Sequence, residues 1–360
     1  MPDAGGPGFG NPDTCVSPRE ARSLSERFAR LLHLVFFYPS LLPCVHARPT
    51  PLLITNEPLQ SRWDGNMALL LEQFGRGLTF IGQPVHATFF PYPIAATIHA
   101  ARISIAYQAN SRAATAGTGT RLNWPTYLAG YLVMTWGGTI ITHQLLHLPP
   151  PMLYSLNPYI IYLTTHLTLT LLTYLFPVLL SKPFLALLDT VMFPLDAIVR
   201  TGAVTGTTAH LVPGSPVPRP LASSTVTHLI IGALASAGGG LSASTLSTWA
   251  PTWSFSTPPV LRASTLSAFL WGSMDIWGGA LVAAVHGVAS GAQAFHGAQA
   301  LVLPMLGNAK LVGEPLLAPL EAKALAAGTL AVCFGARAYK LHWAAPPPAE
   351  KKKGVKAKTQ

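Results

Sequence analysis

The 360-residue chain is short of charge. Asp, Glu, Lys and Arg together make up only 10% of it, against about a quarter in a water-soluble domain. Two long stretches, 122–181 and 220–261, hold no charged residue at all. A water-soluble surface cannot be built from such stretches, so the bulk of the chain is expected in lipid. Cysteine is scarce too. Cys15, Cys44 and Cys333 are too few and too scattered for a disulfide framework or a metal cluster. No Asn-x-Ser/Thr acceptor occurs, so nothing points to an extracellular glycoprotein. Enzyme signatures are missing: there is no nucleophile elbow, no pair of intramembrane carboxylates, no metal motif and no phosphate loop. The chain therefore reads as a non-enzyme. His99, His143, His147 and His166 are spread over three segments without an accompanying carboxylate, a pattern of polar packing rather than metal ligation.

Half of the charged residues lie in the two ends, 1–66 and 344–360. The net charge is +10, with Arg19, Arg22, Arg27 and Arg30 near the start and Lys351, Lys352, Lys353, Lys356 and Lys358 at the close. The basic residues lack aromatic interleaving, which argues against nucleic-acid binding. The tail 344–360 reads as a disordered cytosolic end that touches anionic lipid. Residues 1–66 are rich in Pro and Arg, and their one apolar run, 31–44, is broken by Pro39 and Pro43 and too short to span. They are expected to form a poorly ordered extension outside a folded domain of 67–343.

Seven segments read as helices of membrane length: 89–107, 124–148, 158–180, 187–210, 225–249, 262–288 and 321–342. The Gly-, Ala- and Pro-rich stretch 289–318 reads either as a loop or as a re-entrant element. Loop charges orient the set. Arg112, Arg121, Lys182, Arg262 and the lysine tail fall on one side, whereas the other holds Arg219, Lys310 and Lys323. The bias predicts a cytosolic C-terminus. The expected fold class is thus an all-α polytopic membrane protein, with seven transmembrane helices forming two inverted three-helix repeats plus a seventh helix. An odd number of helices per repeat is what inverts the second one.

Glycine then marks the middle helix of each repeat. The second segment contains Gly137-Gly138 and the fifth contains Gly238-Gly239-Gly240, about a hundred residues apart. Such glycines either let helices pack closely or unwind the helix so that carbonyls face a cation.

Several motifs in order carry a resemblance. Asn123-Trp124-Pro125, Trp136-Gly137-Gly138-Thr139-Ile140 and Leu148-Pro149-Pro150-Pro151 are similar to the second helix of the trimeric intracellular cation (TRIC) channels. Phe90-Pro91-Tyr92-Pro93 with His99 resembles that family's first helix. Phe193-Pro194-Leu195-Asp196-Ala197-Ile198-Val199-Arg200-Thr201 resembles its fourth, 232–241 its glycine-rich fifth, and Pro259-Val260-Leu261-Arg262-Ala263-Ser264 the start of its sixth. The resemblance covers roughly 82–343 and makes the chain a divergent member. It implies a homotrimer with one path for potassium and other monovalent cations inside each protomer, flanked by helices two and five. It also implies an endoplasmic-reticulum or other intracellular membrane, and a counter-ion current during calcium release and uptake. In the family's animal members an inositol phospholipid is held by Lys-Glu-Val-x-Arg on the fourth helix. Here Arg200 stands at the arginine position, but Asp196 occupies the lysine position, and an acid repels a phosphate.

The candidate site residues follow. Gly137, Gly138, Gly238, Gly239 and Gly240 are pore or kink positions. Arg200 and Asp196 are read for lipid contact or gating, and they lie four residues apart on one helical face, where they can also pair. A cation inside an apolar segment costs roughly 2.5–3.5 kcal/mol on insertion scales and is usually functional. Asp275 can attract cations or pair with Arg200 or Arg262. Ser242 and Thr245 either line a hydrated path or bond back to their own helix. No cofactor is expected beyond a bound phosphoinositide. The alternative function is a secondary transporter of a small solute, since carriers also use two three-helix repeats.

Overall fold

The computed structural model describes residues 65–116, 120, 122–306 and 311–344. Within these, eleven α-helices and one short hairpin form a mostly helical fold. The expected extension 1–66, except for its last two residues, and nearly all of the expected tail 344–360 lie outside the described residues, as do Arg121 and Lys310.

Helix α1, Gly65–Ile81, was not foreseen, because Glu72 and Arg76 interrupt its apolar run; it lies along the last helix and the fifth. A hairpin of β1, Pro84–His86, and β2, Phe90–Pro93, follows. Pro91 and Pro93 hold the chain extended there, which delays the first expected helix: α2 is Ile94–Thr115 rather than 89–107. Next come α3, Trp124–Leu145; α4, Asn157–Leu175, ended by the Pro177–Leu180 turn; and α5, Lys182–Thr208, which runs through Pro194. A short α6, Arg219–Ala222, leads into α7, Thr225–Thr245. The expected sixth segment is two helices, α8 (Leu266–Gly272) and α9 (Met274–Ala289), bent by 64° between them. The hydroxyl of Ser273, the residue at the break, donates to Phe269 O at 2.7 Å. Then come α10, His296–Met305, and α11, Pro319–His342.

The stretch 289–318 folds back on itself. Leu316 N donates to Ala289 O at 2.8 Å. The buried Gln299 amide receives Gly313 N and donates to Glu314 O, both at 2.7 Å. The end of the segment thus returns to the end of α9.

Helices α3 and α7 carry equivalent features at offsets of 100 and 101 residues. Each starts on a capping side chain: Asn123 accepts from Thr126 N at 2.9 Å and Ser224 from Thr227 N at 3.2 Å. Thr142 Oγ1 donates to Gly138 O at 2.9 Å, and Ser242 Oγ to Gly238 O at 2.8 Å. Each helix stops in the left-handed region, at His147 (φ 57°) and Ser247 (φ 50°). The closing bonds are equivalent as well, Leu148 N to His143 O and Thr248 N to Ala243 O.

The two helices cross antiparallel at their glycines. A Cβ on Gly137 would stand 2.7 Å from Ser242 Oγ, one on Gly138 2.7 Å from Leu234 O, and one on Gly238 2.6 Å from the Gly138 Cα. Helix α7 meets α9 in the same way, since a Cβ on Gly232 would lie 2.7 Å from Gly279 O. Of the two readings of these glycines, close packing is the one the contacts support, and α3 and α7 are α-helical throughout. The missing side chains are used for backbone approach.

Among the described residues, α7 alone is long and apolar enough by composition to cross a membrane, and the bent α8–α9 pair passes as one broken span. Charges and Gly-, Ser-, Thr- and His-rich stretches lower the mean hydropathy elsewhere.

Candidate functional site

Isolated charges inside apolar helices stay only where partners meet them. Six such groups, from four helices, form an alternating ladder. Asp189 on α5 pairs with Arg102 on α2 at 3.2 Å, and Arg102 Nε reaches Asp196 Oδ1 at 2.9 Å. Asp196 Oδ2 takes Arg200 at 3.2 Å, Arg200 takes Asp275 on α9 at 3.2 Å, and Asp275 takes Arg337 on α11 at 2.9 Å. Asp196 is the most enclosed, with a side chain 4% exposed. Phe334 sits between the two upper arginines, with Arg200 and Arg337 carbons 5.2 and 4.6 Å from its ring centre. His342 caps the other end, 3.0 Å from Asp189.

Arg200 also donates to the carbonyl of Ser236 at 2.7 Å, one turn before the α7 glycines. Its donors are thus shared among two carboxylates and one carbonyl.

All of the ladder except Arg337 lines a cavity of about 1500 Å³. Both ends of α11 line it, Leu320 and Lys323 at the start and Leu341 and His342 at the finish. Twenty-two residues of helix separate Leu320 from His342, about 33 Å.

Of the residues expected from sequence, Asp196, Arg200 and Asp275 converge here, and Asp275 pairs with Arg200 rather than Arg262. Gly138, Gly239 and Gly240 line the cavity, while Gly137 and Gly238 do not. Ser242 and Thr245 are bonded back to Gly238 O and Leu241 O at 2.8 Å and stand outside the lining. Arg262 is exposed in the Pro259–Arg262 turn with no ion-pair partner among the described residues. Arg262→Ala is expected to change stability by no more than about 0.5 kcal/mol, read as an unaltered thermal midpoint of the purified protein in detergent.

Arg102, Asp189 and Arg337 were missed. Arg102 stands among apolar and small residues of α2, and Asp189 lies seven residues, about two turns, before Asp196 on α5; those were the available signals.

The histidines do not assemble a metal centre, and among the described residues no three metal-ligating side chains cluster. His166 is fully buried against Tyr131, with ring centres 3.8 Å apart, and its Nδ1 lies 2.7 Å from Ser104 Oγ. His99 Nδ1 meets Tyr162 Oη at 3.1 Å. No family model matches the chain, and no curated protein or solved structure matches it either.

Proposed function

We propose that the chain is a passive monovalent-cation channel, TRIC-like and divergent, in the endoplasmic reticulum or another intracellular membrane. Its helices form two inverted repeats, α2–α3–α4 and α5–α7–α9, with α11 as the seventh span. The observation that carries this reading is the cavity whose lining follows α5 from Lys182 to Ala203, 21 residues of helix or about 32 Å, about the thickness of a bilayer's hydrocarbon core. The matched caps, hydroxyl bonds and glycine crossing of α3 and α7 support the repeats. The burial pattern supports lipid: α4 exposes Leu167, Leu171 and Leu175, while Ser104, Gln108, His166 and Thr173 are buried between helices.

The path follows α2, α5 and α7, and the ladder crosses it. Arg200 bridges α5, α7 and α9, so this arrangement is the closed one. Conduction requires Arg200 to leave the Ser236 carbonyl. Three protomers, each with its own path, assemble as a homotrimer, with a counter-ion role during calcium movement. Phosphoinositide capture by Arg200 is not part of the proposal, because Asp196 and Asp275 beside its Nε and Nη1 repel a phosphate.

The test is single-channel recording of the purified full chain in planar bilayers with potassium on both sides. Gly240 faces open space, with no atom within 4 Å of an added Cβ, and it lines the cavity. Gly240→Leu therefore adds bulk to the path without forcing helices apart. Ohmic unitary current in the wild type, reduced about twofold or more by Gly240→Leu, is the expected result. Saturable flux without unitary current would favour the secondary transporter instead.

A further inference from the structure

We infer that Lys323 sets the direction in which this path rectifies, an inference that rests on the channel reading above. Four cationic side chains line the cavity, Arg102, Arg200, Lys182 and Lys323, against three aspartates. The two arginines are each held by two carboxylates. Neither lysine has an ion-pair partner among the described residues, so the surplus positive charge belongs to them.

They are not equivalent. Lys182 is the first residue of α5 and is exposed, where water and salt screen it. Lys323 is in the second turn of α11, half-buried between the buried Ala322 and Ala324. It lies fourteen residues before Arg337, about 21 Å along the helix from that end of the ladder. A weakly screened positive charge therefore stands at one mouth only. It depletes cations locally, as charged rings do in selective pores. Potassium that approaches from the Lys323 mouth meets a lower local concentration than potassium that approaches from the other. Current in that direction is the smaller one.

The experiment compares unitary currents at equal and opposite voltages in about 0.1 M potassium chloride, where the screening length is about 10 Å, and in about 1 M, where it is about 3 Å. The wild type is expected to rectify about threefold at low salt and little at high salt. Lys323→Gln brings the ratio close to one, Lys323→Arg keeps it, and Lys182→Gln changes it by less than a quarter of the Lys323→Gln effect. All three variants are required to elute from gel filtration as the wild type does. An unchanged ratio in Lys323→Gln, or a ratio abolished by Lys182→Gln, overturns the inference while the channel reading stands. Absence of any unitary current in the wild type overturns both.

Discussion

Asp196→Asn is expected to lower the stability of the folded chain by about 3 kcal/mol, the lower end of the range for breaking a buried ion pair. The carboxylate is nearly enclosed and is held on one oxygen by Arg102 and on the other by Arg200. Asparagine keeps the shape but removes the charge, so two half-buried guanidiniums lose their common partner. The effect stays at the lower end because Asp189 still faces Arg102 and Asp275 still faces Arg200. The measurement is chemical denaturation of the purified protein in mixed micelles. The exposed pair Arg76–Glu72 serves as the control, since its side chains are 70% and 52% exposed. Arg76→Ala should cost less than about 0.5 kcal/mol. If Asp196→Asn and Arg76→Ala cost the same, the ladder is not a buried network and its role as a closed barrier falls with it.

Gly138→Ala is the second large effect. The added methyl meets a carbonyl oxygen, Leu234 O, at 2.7 Å, with Gly239 N at 3.3 Å behind it. Backbone atoms cannot swing aside as a flexible side chain would, so α3 and α7 must separate. Overpacking of this kind costs about 1–3 kcal/mol and sometimes more. Gly240→Ala is the counterpart two residues beyond the crossing. Nothing obstructs its methyl, and alanine is favoured over glycine in a helix by about 0.5–1 kcal/mol. Opposite signs in thermal unfolding are therefore expected from the same chemical change. Equal effects at both positions would mean that the glycines are not a close crossing.

Much of the helix pattern was legible because caps and breakers act over three or four residues. Asn123 and Ser224 start α3 and α7, and prolines at 91, 93 and 177 shift or end their neighbours. Helix α1 was hidden for a related reason: Glu72 and Arg76 make it amphipathic rather than uniformly apolar, so a search for membrane-length runs passes over it. The glycine pairs were legible as a pair but not in their use. Composition does not distinguish a helix that unwinds from one that lets another backbone touch it, because both need the absence of a side chain. Ser242 was ambiguous in the same manner, and its bond to Gly238 O resolved it.

The ladder divides along the same line. Asp196 and Arg200 could be paired from their spacing alone. Arg102 to Asp189, and Asp275 to Arg337, join residues 87 and 62 positions apart, and no local rule brings these together.

The sequence by itself determined the low charge, the helical segments, the offset near one hundred between the two glycine-bearing helices, and the four-residue spacing of Asp196 and Arg200. That spacing is shared by Glu72 and Arg76. Only the tertiary structure decided that one pair lies in solvent and the other between four helices. Coulomb attraction depends on the surrounding dielectric as much as on distance, and packing, not spacing, sets the dielectric.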